Sequence, residues 1–169
     1  TKMPSEFIQS LALLKWAISA ANCDLGLLSS DKSQAIGKIA LEIAEGEFSD
    51  EFPVDVFQTG SGTSTNMNMN EVIANLGSSE GMPIHPNDDV NMGQSSNDVI
   101  PSAINVASTL LIKNSLLGSL SHLQKTLEDK SSSLSGIVKT GRTHLMDAMP
   151  ITFGQEIGAW ASQIEAAKR

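Results

Sequence analysis

Apolar positions recur at steps of three and four along most of the chain, between runs of Gly, Ser, Thr, Asn and Pro; this predicts helices joined by polar turns. Phe7, Leu11, Leu14, Ile18 and Ala21 predict an amphipathic helix over 5–22, with Ser5 as its cap. Ile36, Ile39 and Ile43 predict a second over 31–45, capped by Ser29 or Ser30 and stopped by Gly46, with Gly37 as its weak point. The stretch 48–57 holds Pro53 among alternating acids and suits an extended connection with aromatic anchors. No stronger strand signal occurs anywhere. Gly60 and Gly62 then allow a tight turn, the hydroxyls of Ser61, Thr63, Ser64 and Thr65 stand at a helix entrance, and Met69, Val72, Ile73 and Leu76 form its buried side. Asn66 and Asn70 share a face of that helix.

Beyond Asn97, a heptad-like stripe of Val106, Leu110, Leu117, Leu120 and Leu127, widened by Ile104, Leu111, Leu116 and Leu123, predicts a long helix to near Ser131. Pro101 is expected in its first turn. So long a stripe needs more partner helices than the remaining residues supply. The segment 141–144 reads as a loop, and Thr152 followed by Gln155 fits a capping box. Phe153, Ile157, Trp160 and Ile164 give the last helix its apolar face, and Gly154 and Gly158 permit close approach of another backbone. The pattern as a whole specifies an all-α fold.

Composition narrows the partners. The 169 residues are 40% hydrophobic, enough for a real core, and the formal net charge of −8 disfavours nucleic acid or an anionic membrane as partner. Cys23 is the only cysteine, so no disulfide framework and no cysteine-ligated cluster or zinc site can form within the chain. No apolar run approaches the roughly 18–20 residues that span a bilayer, and the N-terminus has no signal pattern, so a cytoplasmic or organelle-matrix protein is expected. The chain opens at Thr1 without an initiator methionine and closes at Arg169 within a helical pattern, so a piece of a longer protein is expected.

The candidate chemistry centres on 85–101, HPNDDVNMGQSSNDVIP. Ser95, Ser96 and Asn97 supply neutral donors where a helix begins, and the free N–H groups of its first turn face whatever lies in front of them. The fitting guest is a carboxylate or a phosphate. The segments 59–65 (TGSGTST) and 141–144 (GRTH) have the same build, and the three could converge on one ligand. Other readings stand beside this one: the hydroxyls as helix caps, His144 as a buried imidazole, and Arg142 as an ion-pair partner. The 59–65 turn lacks the Gly-Lys-Ser/Thr ending of a phosphate-binding loop. His85, Asn87 and Asp88 lie close enough to suggest a metal, but without a His-x-x-x-His spacing an exposed polar turn is expected.

Taken in order, TGSGTSTNMNMNEVIAN (59–75), HPNDDVNMGQSSNDVIPSA (85–103) and GRTHLMDAMPITFGQE (141–156) resemble the fumarase/aspartase superfamily and, within it, the class II fumarases. Ser-Ser-Asn-Asp and Gly-Arg-Thr-His favour these over the aspartases, which tend to carry Ser-Thr-Asn-Asp and Gly-Arg-Thr-Gln. The resemblance covers essentially the whole chain. It implies an N-terminal helical domain over 1–94, the first long helices of a central helical bundle over 95–169, and reversible hydration of fumarate to (S)-malate without metal or cofactor. It assigns Ser61, Gly62, Thr63, Ser95, Ser96, Asn97 and Thr143 to the substrate carboxylates and His144 to proton transfer through a water. It assigns His85, Pro86, Asn87 and Asp88 to a second dicarboxylate site. Some relatives carry a basic residue where this chain has Met82, which weakens the expected anion affinity of that second site. Met146 and Met149 replace polar residues common around the Gly-Arg-Thr-His motif.

The resemblance further implies a homotetramer whose active sites each draw on three subunits, and a carbon base on a mobile Gly-Ser-Ser loop that this chain does not contain. The isolated piece is therefore expected to be inactive. Two other functions compete: an aspartate ammonia-lyase of the same superfamily, and a non-catalytic helical scaffold.

Overall fold

Pro4, with φ at −56°, turns the chain into helix α1 (Ser5–Asp24) in the computed structural model, which describes residues 1–169. The cap is the Pro4 carbonyl, which accepts from the amides of Phe7 and Ile8, and Ser5 is the first helical residue rather than the predicted cap. Helix α2 (Ser30–Ala44) is capped by Ser29, whose hydroxyl accepts from the Lys32 amide. A short 3-10 turn, Ser49–Glu51, and an extended passage lead to α3 (Thr63–Gly77). A single π-helical turn, Pro86–Val90, precedes α4 (Ser96–Leu111). Pro101 falls in the second turn of α4 rather than the first, because the helix already begins at Ser96.

The chain divides into two compact units, Thr1–Thr109 and Leu110–Arg169. In the first, α1, α2, α3 and the start of α4 close around Leu11, Ile36, Ile43, Met69, Ile73 and Ala103, all buried. Ile36, Ile39 and Ile43 face inward as their spacing predicts, whereas Leu76 remains exposed. The inner stripe of α1 changes character along its length. Leu11 lies in the apolar core, but Lys15, Ser19 and Asn22, which continue the same face at helical steps, are buried polar residues. Ala21, predicted to face inward, is exposed.

In the second unit, a π-helical turn (Ile112–Leu116) leads into α5 (Leu117–Ser133). Strands β1 (Val138–Thr143) and β2 (Met146–Thr152) form an antiparallel hairpin ahead of α6 (Phe153–Ala167). The hairpin corrects the expectation of a loop over 141–144, and the rest of the fold is helical. Its register is irregular between Thr140 and Arg142, where buried Gly141 lets the strands approach so closely that a Cβ would fall 2.5 Å from the Met149 carbonyl oxygen. Helix α6 opens with both halves of the Thr152–Gln155 capping box, and Gly154 lies against the backbone of Ser131 and Ser135, the approach its position predicts. The apolar stripe is only partly covered within this unit: Leu120 and Leu127 are half-buried, but Leu110, Leu111, Leu116, Leu117 and Leu123 are exposed, as is Trp160 on α6.

Candidate functional site

Gly62 takes φ +67°, a left-handed conformation that glycine adopts without cost, and packs directly on Ile100 of α4. Its turn presents the start of α3 to the start of α4. The entrance of α3 is capped neither by Ser61 nor by Thr63. Gln58 does that work, its Oε1 accepting from the Thr65 amide at 3.1 Å while its Nε2 donates to Thr65 Oγ1 at 2.6 Å. Ser61 and Thr63 are thereby left exposed, with their hydroxyls 2.9 Å apart.

Thr63 Oγ1 in turn lies 3.1 Å from Ser96 Oγ, at the first residue of α4. Three hydroxyls from two helix entrances thus form one chain, beside first-turn amides that have no intrahelical acceptor. Ser95 stabilises its own turn: its hydroxyl accepts from the Asn97 amide at 3.2 Å, and its carbonyl accepts from Asp98 and Val99. The Asn97 side chain is exposed. Such a surface offers several neutral donors to an anion, with one carboxylate nearby, that of exposed Asp98 in the first turn of α4.

Beneath the two entrances lies a buried polar layer that periodicity does not reveal. Lys15 Nζ donates to Asn91 Oδ1 at 3.2 Å and to Gln94 Oε1 at 2.7 Å. Asn66 of α3 donates to the same Asn91 oxygen at 3.1 Å, and Asn22 of α1 donates to the Met92 carbonyl at 3.1 Å. Burial pushes the Lys15 pKa down from 10.5 to about 7, because desolvation penalises its charged form. Lys15, Gln58, Asn91 and Gln94 were not among the residues singled out by sequence. Only Lys15 could have been marked, by its polarity on the inner face of α1 one turn after Leu11; the other three lie in turns and connections without a period.

The turn 85–88 is exposed at His85, Asn87 and Asp88, as expected, with Pro86 half-buried. His85 Nδ1 accepts from the Asp88 amide at 3.1 Å. What anchors the turn is the next residue, Asp89, which is buried; its Oδ2 accepts from Lys32 Nζ at 2.7 Å and from the His85 amide at 2.8 Å.

In the second unit Thr143 ends β1, and His144 and Leu145 make the two-residue turn of the hairpin, with φ of 52° and 61°. Positive φ at both positions is the requirement of a type I′ turn, which ordinarily carries Asn and Gly. Here it holds an exposed imidazole at the tip, so the buried-imidazole reading of His144 does not hold. Strain of this kind, of order 1 kcal/mol per residue, persists where surrounding structure or function requires it. Arg142 Nε lies 3.6 Å from Asp147 Oδ1 across the hairpin, and both side chains are largely exposed.

The sequence profile of the lyase family matches residues 1–169. The chain belongs to that family. This lyase chain is 53% identical over 168 residues to a class II fumarate hydratase of Xylella fastidiosa, covering 98% of the chain and 35% of that protein. It is 53% identical over 159 residues to one of Mycobacterium tuberculosis, covering 94% of the chain and 34% of that protein. Among solved structures it is similar to a class II fumarase from Schistosoma mansoni, with a TM-score of 0.90 and 41% identity over 99% of this chain and 36% of that one. A fumarate lyase:delta crystallin structure from Brucella melitensis superposes with a TM-score of 0.85 and 43% identity, over 97% of this chain and 40% of that one. The lyase chain therefore spans about a third of the length of the curated relatives it matches.

Proposed function

We propose that the chain carries the carboxylate-binding part of a class II fumarate hydratase, which in its complete form interconverts fumarate and (S)-malate. The observation that carries this reading is the contact between Thr63 and Ser96, which joins two hydroxyl-rich helix entrances into one set of neutral donors. In this reading Ser61, Gly62, Thr63, Ser95, Ser96, Asn97 and Thr143 hold the substrate carboxylates. Removal of the proton beside a carboxylate delocalises charge into that carboxylate, and fixed donors stabilise the charge most in the transition state. His144, exposed on its turn, orients the water that adds or leaves as hydroxide. His85, Pro86, Asn87 and Asp88 form a second, weaker dicarboxylate site.

The same reading assigns 1–94 to an N-terminal helical domain and 95–169 to the opening of a central bundle. The uncovered leucines of α4 and α5 support assembly into a homotetramer, which would bury them. No helix is long and apolar enough to cross a membrane, which accords with a cytoplasmic enzyme, or a mitochondrial matrix enzyme in a eukaryote. The reaction is proposed to need neither metal nor cofactor.

The deciding experiment assays the full-length protein with malate, fumarate and aspartate, beside a His144→Ala variant. Malate dehydration and fumarate hydration are expected, without ammonia release from aspartate. A His144→Ala enzyme that keeps its rate within about tenfold of wild type would remove the histidine from the mechanism. Release of ammonia from aspartate, with malate inert, would move the protein to the ammonia-lyases. No activity and no dicarboxylate binding would leave a scaffold.

A further inference from the structure

Lys15 is the largest fully buried side chain of the chain, at 1% exposure, and both acceptors it reaches are neutral amides. Burying an amine without a carboxylate partner costs stability, and a methionine of similar volume would fill the space without that cost. Packing alone does not explain a lysine here. The links it makes do.

Gln94 directly precedes Ser95 in the chain. While its Oε1 accepts from Lys15, its Nε2 donates to the Val90 carbonyl at 2.8 Å and to the Met92 carbonyl at 3.4 Å, so one side chain holds the segment that delivers the start of α4. Asn91 joins the other entrance. Its Oδ1 accepts from Lys15 on α1 and from Asn66 on α3, one helical turn beyond Thr63. The hydroxyls above have much weaker restraints of their own: Thr63 is exposed, and its contact with Ser96 is a single hydroxyl pair. The packing of Gly62 on Ile100 limits how closely they approach, and the amide links below hold the two entrances in register.

We infer that Lys15 is a positioning residue of the carboxylate cradle, holding the entrances of α3 and α4 in register through Asn91 and Gln94 without touching the substrate. This rests on the activity proposed above. It deepens that proposal by adding a residue on α1, a helix that supplies none of the expected substrate contacts. The role is geometric: an amine with two or three donors satisfies two amide oxygens at once and fixes both, which no apolar side chain of that length can do.

The test uses the full-length protein and three variants, Lys15→Met, Gln94→Leu and Ile36→Val. Steady-state kinetics with malate are read at a temperature where circular dichroism shows each variant folded. Lys15→Met and Gln94→Leu are expected to lower kcat/KM by roughly tenfold to a hundredfold, with a fall in kcat as well as a rise in KM, because donors that act most strongly in the transition state lose that advantage when slightly misplaced. Ile36→Val, a core truncation away from these links, is expected to lower the melting temperature while kcat/KM stays unchanged. A kcat/KM within about twofold of wild type in folded Lys15→Met or folded Gln94→Leu would overturn the inference. So would loss of folding in both, since the links would then serve the fold rather than the cradle. The wild-type rate is read first: an enzyme inert toward malate and fumarate overturns the proposed activity, and this inference falls with it.

Discussion

Gly62 rests on Ile100: a Cβ added at position 62 would fall 3.0 Å from both Cγ1 and Cγ2 of that isoleucine. The contact fixes how closely the 59–63 turn approaches α4, and therefore where Thr63 meets Ser96. Gly62→Ala meets two obstacles, the positive φ and the isoleucine wall. It is expected to destabilise the chain by roughly 1–3 kcal/mol in urea unfolding. In the full-length protein it should also raise KM for malate by at least about fivefold, since the donors of α3 would be pushed off α4. A variant with wild-type stability and KM would show that the turn has room to move.

The turn at 85–88 depends on a residue outside its motif. Asp89 Oδ2 binds both Lys32 Nζ and the His85 amide, and the carboxylate keeps only 11% of its side-chain exposure. Asp89→Asn keeps the size and an acceptor but leaves Lys32 without its counter-charge. Lys32 retains 29% exposure and is partly solvated, so the loss should be roughly 1–3 kcal/mol, below that of a fully buried pair. Asp89→Asn combined with Lys32→Met should be less destabilised than the sum of the single changes, as measured by a double-mutant cycle. Additive losses would mean that the pair contributes no coupling.

Helices with a regular apolar period were legible in the sequence, because burial of one face is what the period encodes; α2, with Ile36, Ile39 and Ile43, is the clearest case. The capping box at Thr152 and Gln155 was equally legible, both halves being local. The hairpin was not. Its strands are exposed on both faces at most positions, so no alternation of apolar and polar residues marks them, and its turn carries His144 and Leu145 where a turn of this geometry favours Asn and Gly. The hydroxyl-rich entrances of α3 and α4 were visible as small polar runs ahead of apolar ones. Their support was hidden, because Gln58 caps α3 from outside the helix and Lys15 reaches across 76 and 79 residues of sequence to Asn91 and Gln94. Interactions so distant in sequence leave no local period to read.

The buried lysine makes stability depend on pH in a direction opposite to that of a salt-bridged lysine. Its folded pKa, about 7, lies below the unfolded value of 10.5, so between those values the unfolded chain holds a proton that the folded chain has released. Stability contributed by this group therefore rises with pH across that window. The desolvation cost is fully present below about pH 7 and fades as pH approaches 10.5. Every other titrating group is shared with Lys15→Met, so the difference in unfolding free energy between wild type and variant isolates the lysine. From about pH 7 to about pH 9.5 that difference should move in favour of the wild type, by no more than about 1.4 kcal/mol per pH unit. Urea unfolding followed through Trp16, which packs beside Gly37 in the same unit, supplies the measurement. A difference that stays flat across the window would mean that water reaches the amine and keeps it charged. One that moves against the wild type would require an anionic partner, which neither Asn91 nor Gln94 can be.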